Sequence, residues 1–143
     1  MSRSGYIDDD WDLLALGRYR AQVASAMRGR RGQQLLLDLV RALDALPIKE
    51  LIPNELSSGD HYCALGAVGH YRRLLLTGVE EDHLEIGERL DVAHQLVAEV
   101  MYVNDEAAID PETPAERFAR VRRWALRHLA PETLVEARAE PEP

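Results

Sequence analysis

At 143 residues, 46% of them apolar, the chain has the length and composition of one ordinary domain that buries a core without metals or crosslinks. Its one cysteine, Cys63, excludes an internal disulfide and points to a reducing, cytoplasmic setting; no stretch approaches the roughly 20 apolar residues that span a bilayer, and the first residues, without an apolar core, imply no export. A net charge of -8 repels nucleic acid on average, so any contact with it needs a local basic patch.

The charge is unevenly placed. Residues 80–112 carry one basic and eleven acidic side chains, whereas residues 113–130 carry five and one. All basic residues except Lys49 are arginine.

In chain order, an acidic lead-in (Asp8, Asp9, Asp10, Asp12) suits the positive end of a helix whose apolar residues are Leu16, Tyr19, Val23, Ala26 and Met27. Gly29 and Gly32 break it, and a second helix from near Gln33 lines up Leu36, Leu39, Val40 and Leu43, with Asp38, Arg41 and Asp44 outside, until Pro47. Around Ser57-Ser58-Gly59-Asp60 the pattern becomes a small β-hairpin or an ordered loop. The small residues from Cys63 to Gly69 predict a short, tightly packed third helix that lets another backbone come close.

From Glu80 a long, central fourth helix is expected, with Ile86, Leu90, Ala93, Val97, Val100 and Met101 on one face and Asn104-Asp105 at its end. Thr113-Pro114-Ala115-Glu116 spells an N-cap, a first-turn proline and a capping-box glutamate. The helix it starts turns Phe118, Val121, Ala125 and Leu129 inward and Arg120, Arg123 and Arg127 outward. The expected fold is therefore mainly α: a compact bundle of about five helices in one domain over residues 1–130, with a flexible acidic tail at 131–143.

Candidate sites are few. Arg28, Arg30 and Arg31 at the interhelical turn could hold phosphates, and Arg120, Arg123 and Arg127 could dock an acidic partner; pairing with the chain's own acids is the simpler account of both groups. Cys63 could serve as a nucleophile with His61, His70, His83 or His94 as base, but buried cysteines behave mostly as small apolar residues. Asp91 and His94 share a helix side, and two ligands do not make a metal site. No phosphate-loop, dinucleotide, HExxH, paired CxxC or GxSxG pattern is present, so no cofactor or metal is assigned.

The stretches RGRRGQ (28–33), LDALP (43–47), CALGAVG (63–69), NDE (104–106) and TPAERFARVRRW (113–124) resemble a family of small uncharacterised helical proteins encoded by tailed phages and prophages. The resemblance implies a phage or prophage origin and action in the host cytoplasm, with no assigned chemistry. It also raises the packing of Cys63, Gly66 and Ala67 on the end of the fourth helix, closed by Asn104 and Asp105, with Thr113 and Glu116 likewise structural. The functional expectation is a non-enzymatic accessory protein that binds, and can inhibit, a host or phage protein such as a host-defence component. The alternative is a small nucleic-acid-binding regulator using the Arg-rich turn and the last helix.

Overall fold

The computed structural model describes residues 2–6 and 13–139; the acidic lead-in, Trp11 and the last four residues of the tail lie outside them. The described residues are mainly helical: α1 (Leu13–Arg28), α2 (Arg30–Ala45), a hairpin of β1 (Ser57–Ser58) and β2 (His61–Tyr62), α3 (Ala64–Tyr71), α4 (His83–Leu90), α5 (His94–Asp105), α6 (Pro114–Arg127) and α7 (Pro131–Arg138).

The stripe read between Gln33 and Leu43 is buried along its length, and α2 packs on α1, α3, α6 and α7. Leu36, Val40 and Leu43 are fully covered, each burial contributing about 1.5–3 kcal/mol before chain entropy is counted. This helix starts at Arg30, earlier than expected. Only Gly29 breaks the chain, standing at the N-cap, while Gly32 lies in the first turn, where a Cβ would fall 1.9 Å from the Ala26 carbonyl oxygen. Gly32 therefore permits a close crossing of α1 and α2. α1 itself buries little: Val23 is its buried residue, and Leu16, expected to face inward, is 36% exposed.

The hairpin forms where the serine and glycine turn was read, pairing Ser57 with Tyr62 and Ser58 with His61, with Gly59 at a φ of +62°. It delivers the chain into α3 through Cys63, whose Sγ accepts the Gly66 N–H as the N-cap. The close approach at the small-residue run is to Leu56: a Cβ on Gly66 would lie 1.8 Å from that carbonyl oxygen, which also accepts the Cys63 N–H.

The long fourth helix is two helices. α4 ends at Leu90 because Asp91 turns left-handed (φ 57°, ψ 50°), and the N–H groups of Asp91 and Val92 return to the carbonyls of Glu88 and Gly87. An aspartate adopts this conformation more readily than most residues. α4 then packs back on α5, which keeps Ile86, Leu90, Val97, Val100 and Met101 all buried. The centre of the fold is shared between α2 and α5, since α5 packs on α1, α3, α4 and α6.

α6 begins with both hydrogen bonds of the capping box in place: Thr113 Oγ1 accepts the Glu116 N–H, and the Thr113 N–H bonds Glu116 Oε1. The tail departs from expectation. Residues 131–138 form α7, begun by Pro131, and Leu134 and Ala137 pack against the core beside α2.

Candidate functional site

The six arginines singled out in the sequence separate into three groups. Arg28, Arg30 and Arg31 remain at the α1–α2 junction, and Arg31 reaches Asp91 at 3.1 Å with both side chains largely exposed. Arg123 and Arg127 are exposed on α6.

Arg120 turns away from that face. Its guanidinium bonds both carboxylate oxygens of Glu112 at 2.9 and 2.6 Å and the carbonyls of Val103 and Asn104, the last acceptors of α5. Arg117 joins it on the Asn104 carbonyl. The Arg120 hydrogen bond, together with the charges of Arg120 and Arg117, holds the Glu112 carboxyl below its ordinary range despite some burial. Arg120 thus fixes how α6 meets the end of α5. Arg120→Ala is expected to cost about 2–3 kcal/mol in a denaturant melt, because it strands the Val103 carbonyl and leaves Glu112 with Arg117 alone, whereas Arg123→Ala stays within about 0.5 kcal/mol.

Asn104 and Asp105 stand at one junction. Asn104, fully buried, accepts the Ala64 N–H at 3.0 Å and donates to the Ile52 carbonyl at 2.9 Å and to Asp105 at 2.8 Å. One side chain therefore ties the start of α3 and the loop before the hairpin to the end of α5. Asp105 in turn accepts two hydrogen bonds from Arg3, at 2.6 and 2.9 Å, and one from the Asn54 N–H. Burial would raise its pKa, but Arg3, Asn104 and the Asn54 N–H together hold it below the ordinary value. Arg3 is 6% exposed. Its buried place had no sequence signal, because nothing in the residues around Arg3 distinguishes it from a solvated arginine.

Cys63 is covered completely, beside the Arg3 guanidinium, and no histidine bonds to it among the described residues. His70 stacks on Tyr62, His61 lies 3.7 Å from Glu50, and His83 Nε2 is 2.6 Å from the Arg3 carbonyl oxygen. Among the described residues no group of three or more His, Cys, Asp or Glu side chains is placed to hold a metal, and no helix is long and apolar enough to cross a membrane.

One concave surface has no signal in the sequence. A groove of about 710 Å³ opens where the C-terminal half of α2 meets α6 and the end of α7. Arg41, Arg122 and Arg138 line it with Tyr71 and Leu126, and Asp44 is its acid. Arg122 is held to Asp44 by two bonds of 2.8 and 3.1 Å, a pairing that raises its pKa against the opposing effect of burial. Neither Arg41 nor Arg138 has an ion-pair partner among the described residues. At about 1.5 Å per residue along α2, Arg41 stands about 15 Å from Arg31, so the groove is separate from the Arg-rich turn. It is a locally cationic, partly apolar cleft on a chain of net charge -8.

No protein-family model, no curated protein and no solved structure matches this chain.

Proposed function

We propose that the chain is a non-catalytic binding protein whose α2–α6–α7 groove receives an acidic segment of a partner protein. The observation that carries this reading is the convergence of Arg41 and Arg138 with the Asp44-bound Arg122 beside Tyr71 and Leu126 in a cleft of about 710 Å³. Arginine forks supply paired donors to carboxylates, and an aromatic and aliphatic wall gives an apolar anchor its place. A protein segment fits better than a nucleic acid. The cationic surface is short and concave, and a chain of net charge -8 repels a longer phosphate backbone on average.

The resemblance to small phage and prophage proteins supports a context for such binding: an accessory factor in the host cytoplasm that occupies, and so inhibits, a host or phage protein. The acidic segment and the groove would give that partner two oppositely charged surfaces to satisfy, which sharpens selection more than affinity.

A fluorescein-labelled peptide of alternating Glu-Glu-Leu triplets, titrated by anisotropy, tests the reading. Arg41→Glu and Arg138→Glu are each expected to raise its Kd at least about tenfold, equivalent to about 1.4 kcal/mol, with helical circular dichroism unchanged. Equal affinities for wild type and both variants would overturn the groove assignment. Preferential binding of a single-stranded oligonucleotide, lost steeply between about 50 and 200 mM salt, would overturn the choice of a protein ligand.

A further inference from the structure

Residues 2–6 make a tight turn, closed by the Gly5 N–H on the Ser2 carbonyl at 3.3 Å with Gly5 at a φ of +79°, and they rest in a notch at the C-terminal end of α5. Each outward group of the turn meets its own receptor. The Arg3 guanidinium bonds both oxygens of Asp105, which Asn104 links to the Ala64 N–H next to Cys63, the Arg3 carbonyl oxygen meets His83 Nε2 at 2.6 Å, and Ser4 Oγ donates to Glu106 at 3.0 Å. Tyr6 lies against Tyr19 and Tyr102, with ring centroids 5.6 and 4.9 Å away, and its hydroxyl donates to Glu99 at 3.4 Å. Burial, with Glu99 and Tyr19 nearby, pushes the Tyr6 hydroxyl above its ordinary pKa, so it stays a donor at neutral pH.

The segment is held almost wholly by polar groups. Arg3 and Asp105 are both nearly dehydrated, each 2% exposed in its side chain, so their attraction is offset by hydration that both recover on separation. Tyr6 is the large apolar contribution, and it is itself only half-buried. Segments with few buried apolar contacts open more readily than the core that carries them. Two further signs mark an imperfect seat: Arg3 Nη1 and Glu106 Oε2 are buried without hydrogen-bond partners among the described residues.

We infer that the notch is a receptor site for an arginine presented on a short Arg-Ser-x-Tyr turn, and that residues 2–6 occupy it in cis as a releasable plug over Cys63. The site reads the guanidinium through Asp105, the turn through His83 and Glu106, and the aromatic ring through Tyr19 and Tyr102. Release uncovers the thiol beside the empty arginine seat, and the same peptide chemistry supplied from another chain refills it.

Labelling of Cys63 by an aromatic disulfide reagent reports on the plug in the full chain. Wild-type protein should label slowly, and Arg3→Ala at least about tenfold faster with its helical circular dichroism intact. The peptide Ser-Arg-Ser-Gly-Tyr, added to Arg3→Ala, should slow labelling again, while Ser-Ala-Ser-Gly-Tyr should not. Equal labelling of wild type and Arg3→Ala would overturn the inference, as would a peptide that gives no protection. Global loss of helix in Arg3→Ala, with Arg3→Lys also unfolded, would overturn it too, since the segment would then be part of the cooperative core.

Discussion

Gly66→Ala is expected to abolish the folded state. The added Cβ would stand 1.8 Å from the Leu56 carbonyl oxygen and 2.8 Å from its carbon, and neither belongs to a flexible side chain. The carbonyl cannot retreat without giving up the Cys63 N–H it accepts at 3.1 Å, and Cys63 is the N-cap of α3. α3 packs on both α2 and α5, so a shift there is transmitted to both central helices. A loss beyond about 4 kcal/mol belongs to the small class of substitutions that drive buried atoms into backbone, and it is a large share of the total stability of a domain this size. Circular dichroism and thermal melting check it. Gly17→Ala is the internal control: it lies in α1 with nothing within 4 Å of the new Cβ, and it should stabilise the chain by up to about 1 kcal/mol through helix propensity alone.

Asn104→Ala carries the second large effect. It removes the acceptor of the Ala64 N–H and the donor to the Ile52 carbonyl, and no water-exposed route opens for an N–H buried at the start of α3. Each buried backbone group left unpaired costs about 1–3 kcal/mol, so the expected loss in a urea melt is about 3–5 kcal/mol. Asn104→Asp retains the acceptor and loses the donor, and it places a second carboxylate beside Asp105. Its stability should recover as pH falls toward the ordinary carboxylate range of about 4, where protonation restores a donor and removes the repulsion. Wild type should behave in the opposite sense. Asp105 and Glu112 are both held below their ordinary pKa, so their contribution is complete above the unfolded-state value and is lost as pH falls through the folded-state value.

Much of this architecture is legible in the sequence where local signals are strong. The stripe of α2, the capping box of α6 and the small residues around Gly66 each have one physical cause and one local reading. The break between α4 and α5 had no such signal. Asp91 takes a left-handed turn where a glycine would have announced it, and the apolar residues on either side keep a helical period because both helices bury the same face. α7 was hidden by its composition, since Leu134 and Ala137 are its apolar contacts with the core in a segment otherwise acidic.

Charge patterns fix less of the structure than apolar ones. An arginine stripe on an amphipathic helix looks the same in sequence whether it meets water or a neighbouring helix end. Arg120 and Arg117 cap α5, while Arg123, next along the stripe, is exposed. The groove joins Arg41, Arg122 and Arg138, which are distant in sequence and belong to three helices, so no spacing rule could assemble it. Arg3 became interior only because the end of α5 presents Asp105 to it.

Binding in the arginine groove can be followed residue by residue by mapping backbone amide shifts of isotope-labelled full-length protein during titration with the Glu-Glu-Leu peptide. Saturable shifts are expected at Arg41, Tyr71, Arg122, Leu126 and Arg138, reduced in Arg41→Glu. Shifts centred on Arg28 to Arg31, or none at millimolar peptide, would contradict it.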